Sequence, residues 1–453
     1  MRIFYSFIFI LLIFTSRYTL AQSGKDKDVD EAVFSIDGEF RNRFEFSPSV
    51  GGRNVLVPEN TGSGFSFWQR SRIIMSFHNN SIETKFSLQD VRPFVGNELG
   101  WKSNNGNALS IHEAWAKYLI FNGYDTKLGL KLGRMEVFNS DERLIGKSDW
   151  DHYGAAFDAL SFEYENEVYA VKANLGVSFN SAELPGLAVK YRTLGFFNFS
   201  KVFSEYMELN VCDLMEGYDE ANGLTTANYV RNTFGINPVF KVSALEFKLS
   251  AYFQHGTPNV LIGPNLNPDK YAGKMYAAKL FYKFGHLKFG IGYDNYSGEA
   301  YNDTLSDFKN KVFFSPYFSG HNFFGNTDFH LKLMGKGRGL TDVNVSFSGD
   351  INKKTDFFIG INFIGYSNTH AYPDPLGNLI EYNSAGKNMD LTVTRKLGEK
   401  MDVKVGYSVF LPSDHLKIEN NQLLGILVDT PTKFHGWAWM MFSFKPQFFN
   451  TGK

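Results

Sequence analysis

From Phe34 to Phe46 the chain alternates between two faces. Phe34, Ile36, Gly38, Phe40, Asn42, Phe44 and Phe46 fall on one, and Ser35, Asp37, Glu39, Arg41, Arg43 and Glu45 on the other. A period of two marks an extended strand with one apolar side. Strands in soluble sheets usually run to about five or six residues, whereas a tilted strand that crosses a bilayer needs about 9–11. The length of this run therefore predicts a membrane-spanning strand. The pattern recurs further on. Leu245, Phe247, Leu249, Ala251 and Phe253 face away from Glu246, Lys248, Ser250, Tyr252 and Gln254, and Met401, Val403, Val405, Tyr407 and Val409 face away from Asp402, Lys404, Gly406 and Ser408.

Roughly twenty such segments lie between 33–46 and 432–444. One of them, 311–318, is short and flanked by Asn, Lys, Pro and Gly, so it reads as loop, while 327–336 counts among the strand candidates. Short connectors such as Asn79-Asn80-Ser81, Asn122-Gly123-Tyr124 and Gly398-Glu399-Lys400 alternate with longer polar ones at 47–64, 91–110, 256–272, 367–385 and 412–431. Short turns at one end and long loops at the other are the asymmetry of an outer-membrane barrel. The expected fold is all-β, a transmembrane antiparallel up-and-down β-barrel of about 18 strands with long extracellular loops and a polar loop folded toward the lumen. Trp437, Trp439, Phe448, Phe449, Tyr252, Phe253, Tyr282 and Phe284 sit near strand ends and are expected in aromatic girdles at the lipid boundaries, although ordinary core packing would use the same residues.

Composition narrows the alternatives. Lys and Arg number 46 against 47 Asp and Glu, a balance that lacks the basic footprint of a nucleic-acid binder. A charged fraction of 21% with 17% aromatics argues against disorder. The lone Cys212 excludes an internal disulfide framework and a Cys-rich zinc site. Residues 1–21, with an apolar run from Ile3 to Phe14 and the small-residue stretch Thr19-Leu20-Ala21, have the layout of a signal peptide, which leaves 22–453 as a single barrel domain. The ten histidines are scattered, no HExxH or GxSxG occurs, and Gly335-Lys-Gly-Arg-Gly339 lacks the rest of a P-loop. Neither an enzyme nor a bound metal or cofactor is expected. Asp141-Glu142, Asp149 and Asp151 could gather calcium, with a solvated acidic loop as the plainer reading.

If the apolar faces meet lipid, the alternate residues line a lumen. There the first third of the chain places Arg41, Arg43, Arg70, Arg72, Lys85, Lys117 and Lys131 with Glu39, Glu45, Glu83 and Glu113. An Arg or Lys at the bilayer midplane costs about 2–4 kcal/mol, so these side chains are expected to point inward. Eight of the twelve arginines beyond residue 21 are Arg41, Arg43, Arg53, Arg70, Arg72, Arg92, Arg134 and Arg143. A ladder of guanidinium groups suits the passage of carboxylates or phosphates. The same arginines could instead pair with Asp and Glu of neighbouring strands and brace the wall, and both readings stay open.

The segment from Gly129 to Ala159 is dense in polar and charged residues and reads as a loop folded over the mouth or into the lumen. Around it the chain resembles the alginate-export porin family of Gram-negative outer membranes. The matching pieces are Trp68-Gln69-Arg70-Ser71-Arg72, Ser87-Leu88-Gln89-Asp90-Val91-Arg92, His112-Glu113-Ala114-Trp115-Ala116-Lys117-Tyr118, Leu132-Gly133-Arg134, Glu142-Arg143-Leu144-Ile145-Gly146, Asp149-Trp150 and Phe157-Asp158-Ala159. They cover roughly residues 35–180; beyond that only the general barrel pattern continues. The resemblance implies a monomeric barrel in the cell outer membrane, in contact with its lipid, that passes an anionic saccharide or small anion through an arginine-rich constriction. Carried over, Arg70, Arg72, Arg92, Arg134 and Arg143 become lumen cations, and Asp90, Glu113, Asp149 and Asp158 their ordering partners. A non-conducting surface receptor or adhesin that binds through its long loops is the alternative, and a lipid-active enzyme a more distant one.

Overall fold

The computed structural model describes residues 32–49, 52–93, 109–179, 191–222, 225–257, 270–300, 309–374 and 377–452; the expected signal peptide, 1–21, lies outside them. The wall begins with β1 (Val33–Ser47), β2 (Gly64–His78), β3 (Ile82–Pro93), β4 (Leu109–Asn122), β5 (Thr126–Met135), β6 (Phe157–Asn166) and β7 (Val171–Phe179). It continues with β8 (Thr193–Ser204), β9 (Met207–Asn222), β10 (Thr225–Val242) and β11 (Leu245–Thr257). After a two-residue strand β12 (Lys270–Tyr271) come β13 (Lys274–Phe284) and β14 (Leu287–Tyr296), then β15 (Lys309–Asn310), which pairs only with β12. The last staves are β16 (Leu340–Asn352), β17 (Thr355–Pro373), β18 (Leu379–Gly398), β19 (Met401–Pro412) and β20 (His435–Phe444). Each pairs antiparallel with its neighbour in the chain, and β20 pairs with β1 from Phe40↔Phe444 to Phe46↔Ala438. The result is a closed 18-strand antiparallel barrel, and closure removes the sheet edges that a membrane could not satisfy. Below β20, Pro446 interrupts the ladder but its carbonyl accepts from Gly38 N at 2.8 Å, and β21 (Gln447–Asn450) resumes pairing with β1.

Turns of two to four residues join the strands at one end; the other carries the long connections, except that β9 and β10 follow each other closely and the connector expected at 367–385 shortens to 374–378 as β17 and β18 extend, which makes the uniformly short-turn end periplasmic. No helix among the described residues is long and apolar enough to cross a membrane; the strands do so. The alternation in β1 is realised as expected: Phe46 is 53% exposed on the outer side while Arg41, one of the inner set, is 6% exposed. Tyr282, Phe284, Phe448 and Phe449 are exposed, as girdle residues should be. Trp437, Trp439 and Tyr252 are not: all three turn inward and are buried. The strand expected at 327–336 is also absent. His330–Met334 form a short helix α1 within the β14–β16 connection, because Phe329 and Leu333, four apart, both pack inward. A second helix, α2 (Asp414–Leu423), is capped by Ser413 Oγ accepting from Leu416 N at 3.2 Å.

The core lies inside the barrel. Residues 136–156 from the β5–β6 connection and 311–339 from the β14–β16 connection both fold into the lumen, where they are clipped together. Gly146 N donates to Tyr317 O at 2.8 Å, Ser319 N to Glu142 O at 3.0 Å and Ser315 Oγ to Arg143 O at 2.6 Å. Around that clip Leu144, Ile145 and Tyr317 pack against Leu194 and Leu214 of the wall in one continuous cluster. The apolar material that a soluble sheet would hide beneath one face is divided here between lipid outside and a loop-filled lumen inside.

Candidate functional site

The β1–β2 register sets Arg41 opposite Arg70 and Glu39 opposite Arg72, all on the inner side. Like-charged neighbours at that spacing repel unless something lies between them. What lies between them is the backbone of the β5–β6 loop. Arg41 donates to the carbonyls of Asp149 and of Asp151, the latter at 2.6 Å; Arg43 donates to Trp150 O at 2.7 Å; and Arg72 donates to Tyr153 O at 3.3 Å. Arg70 grips Glu39 with Nε at 2.9 Å and reaches Asp149 Oδ1 with Nη2 at 2.8 Å. Carbonyl oxygens are the right partner for several clustered guanidiniums, since they satisfy N–H donors without adding charge.

Aromatic rings complete the grip. Trp150 stacks on His321 with centroids 4.0 Å apart, carries the Arg43 guanidinium 4.4 Å from its centroid, and meets Trp439 edge-on at 4.8 Å. His152 stacks on Trp68 at 4.2 Å, and its Nε2 accepts from Arg43 at 2.8 Å, so the imidazole is neutral. Burial and the positive charge of Arg43, Arg41, Arg53 and Arg70 push the His152 pKa down to about 2. Asp149 moves the same way for a different reason. Partial desolvation inside the barrel would raise it, but Arg70, Arg41 and Arg72 outweigh that and hold it at about 2. On the far wall the loop is fixed by Arg143, which donates to Asp294 of β14 at 2.5 Å and to Tyr296 OH at 3.0 Å, and by Asn139, which donates to Tyr252 OH of β11 at 2.9 Å. The loop therefore crosses the lumen as a strap tied at both ends.

Lys85, Lys117 and Lys131 also face inward, and each meets a carboxylate. Lys85 pairs with Glu113, Lys117 with Glu83 at 3.2 Å and Glu163 at 3.1 Å, and Lys131 with Glu163 at 3.5 Å. Four expected lumen residues are elsewhere. Arg92 donates to Asp90 at 2.6 Å, and this pair sits opposite Gln69 and Ser71, on the other face of the sheet from Arg70 and Arg72. Arg134 donates to Asp158 at 3.0 Å beside Ala114, again on the outer face. Both pairs lie at the loop ends of their strands, where an outward charge costs only about 0–1 kcal/mol. Asp90 and Asp158 do partner arginines, but at the outer rim rather than in the lumen.

Trp68, Trp150, His152, His321 and Trp437 were not singled out as lumen residues, and alternation could have flagged only the two on strands, Trp68 and Trp437. Three of the carboxylates weighed as calcium ligands are engaged separately: Asp141 accepts from Tyr252 OH at 2.5 Å, Glu142 from Ser319, and Asp149 from Arg70. Among the described residues His112, Glu113 and Glu136 bring possible ligand atoms within 4.8 Å of one another, yet Lys85 holds Glu113 and Lys147 lies 3.6 Å from Glu136. Two ammonium groups at that spot oppose a cation.

A family model described as alginate export matches residues 34–331. Sequence comparison with curated proteins gives no match. Among solved structures, the chain is similar to OccK8 (OprE) of Pseudomonas aeruginosa at 8% identity, with 92% of this chain and 98% of that one covered and a TM-score of 0.58. It is similar to OccK11 (OpdR) of the same organism at 9% identity, covering 92% and 96% with a TM-score of 0.56. OccAB4 of Acinetobacter baumannii gives 9% identity, 92% and 98% coverage and a TM-score of 0.55. At such identities the likeness is one of fold.

Proposed function

We propose, since the chain belongs to the alginate-export family and is an outer-membrane barrel of the porin type rather than an enzyme, that its lumen passes anionic solutes, acidic saccharides among them. One observation carries this reading. The Asp149 side chain is 62% exposed, yet its Oδ1 lies 2.8 Å from Arg70, 3.9 Å from Arg72 and 4.0 Å from Arg41, guanidiniums that are themselves almost wholly buried. Three buried cations converge on one accessible carboxylate. That is a carboxylate site whose present occupant is tethered, and a solute carboxylate arriving through water competes for the same donors. A single chain closes the barrel, so the unit proposed is a monomer.

Reversal potentials across a planar bilayer with a salt gradient test this. Anion preference is expected, and it should increase in Asp149→Asn, which leaves the three arginines one carboxylate short. Cation preference in the unsubstituted protein would count against the reading. The apolar cluster of Leu144, Ile145, Tyr317, Leu194 and Leu214 in the lumen favours a second reading, a closed barrel that binds ligands with its outer loops. Ligand binding to intact cells together with silence in the bilayer would select it.

A further inference from the structure

We propose that the periplasmic half of the lumen holds a second solute site, on the β4–β9 wall, which binds uncharged, hydroxyl-rich molecules such as neutral saccharides. A cavity of about 270 Å³ opens there beneath the start of the strap. Its volume is near the lower end of the roughly 300–1,000 Å³ of small-molecule sites, enough for one sugar ring or the end of a chain.

The charges around it cancel. Lys117, Lys127 and Lys172 line the cavity with Glu163 and Glu165, and Glu83 backs Lys117 at 3.2 Å. Lys172 sits 2.5 Å from Glu165, and Lys117 3.1 Å from Glu163. With Lys131, 3.5 Å from Glu163, and Glu208, bonded to Asn210, added to these, four ammonium groups stand against four carboxylates and give a bare anion little net attraction, in contrast to the arginine wall.

The uncharged groups do not cancel. Asn174 and Asn198, opposite each other on β7 and β8, share one hydrogen bond, Asn198 Nδ2 to Asn174 Oδ1 at 2.9 Å. Whichever way the amides are set, that bond uses one donor and one acceptor of the pair and leaves an NH₂ and a C=O beside the cavity. Asn210 donates to Glu208 at 2.9 Å and keeps its amide oxygen; Ser200 stands opposite it in the β8–β9 register. Adjacent donors and acceptors at fixed spacing match vicinal hydroxyls, each of which both donates and accepts. Phe138 of the strap supplies an apolar ring at the cavity, a surface for the C–H face of a sugar. Asn139 also lines the cavity, but Tyr252, Asp141 and the strap's own backbone engage its amide, so it holds the strap rather than the solute.

The test uses the full-length barrel in detergent micelles, with maltotriose binding followed by saturation-transfer NMR and calorimetry. This readout does not require an open pore, so it can succeed or fail independently of the channel reading. Saturable maltotriose binding is expected, weakened about tenfold in Asn174→Leu/Asn198→Leu, the loss that one or two hydrogen bonds represent. Heat-modifiable electrophoretic migration verifies that the variant is folded; should it not fold, Ser200→Leu at the same cavity is read for the same loss. Absence of maltotriose binding, tighter binding of a triuronate than of maltotriose, or unchanged affinity in the folded variants would each overturn the proposal. Salt-only reversal potentials report the arginine wall and should not move in these variants.

Discussion

On the β1–β2 wall, Arg41, Arg43 and Arg72 donate to main-chain carbonyls of the strap and Arg70 to carboxylates, all out of contact with bulk water. On the β4–β7 wall, Lys117 and Lys131 share Glu163 and Lys172 pairs with Glu165, and Lys117 and Lys172 line an open cavity. The two regions carry similar numbers of cations and use them differently. The planar, many-donor guanidinium organises a crossing backbone, whereas the ammonium settles on the nearest carboxylate. Charge on the inner face of a barrel is thus not one resource: where a loop's carbonyls reach the cations it becomes an anchor, and where glutamates take them first it becomes a lining.

Substitutions on the arginine wall should therefore loosen the strap and those on the lysine wall should not. The readout is protease cleavage within 136–156 in the folded, reconstituted barrel. Arg70→Ala has the largest expected effect, about 3–5 kcal/mol, because it strips the buried Glu39 of its two hydrogen bonds and leaves only Arg72 at 3.6 Å to balance its charge. Trp150→Ala follows at about 3 kcal/mol, through lost packing among His321, Arg43 and Trp439.

Acidification gives the next effect. His152 cannot take up a proton while docked until about pH 2, but it does so near its ordinary value of 6.5 when released. The released state therefore binds more protons across that window, and docking weakens as pH falls below 6.5, by up to about 2 kcal/mol at pH 5. Cleavage should rise over that range in the unsubstituted protein and stay flat in His152→Gln. Asp149 works in the opposite part of the scale: with its pKa held near 2, its contribution is present at neutral pH and is lost only as pH falls from about 4 through 2. Asp149→Asn should cost docking no more than about 1 kcal/mol, since the side chain is mostly exposed and the carbonyl contacts remain. Lys172→Gln should change strap cleavage by no more than about 0.5 kcal/mol, its pair with Glu165 being exposed. A strap loosened equally by Lys172→Gln and Arg70→Ala would end the distinction.

Much of this was legible from residue order. Period-two runs located the strands and the faces, and residues 311–318 are loop apart from the two-residue pairing that precedes them. The misplacements have a common arithmetic. Lys85 and Arg92 are an odd number of residues apart, as are Lys131 and Arg134, so no regular strand can turn both members of either pair inward. The resemblance suggested Arg92 and Arg134 as lumen cations; parity, applied to the same residues, already excluded them. Helix α1 is not legible in the sequence, because five residues are too few for a helical period to stand out from an extended one.

What residue order determined by itself was the alternation, the even barrel it closes into, and which cations face inward, since every second side chain on a strand must share a side and lipid rejects charge. What only the tertiary structure decided was which groups those cations meet. Asp149, Trp150 and His152 reach Arg41, Arg43 and Arg70 across about a hundred residues of chain, and Asp294 reaches Arg143 from the opposite wall. Such contacts leave no periodicity behind, because a loop takes its shape from the cavity it fills rather than from a repeating backbone geometry.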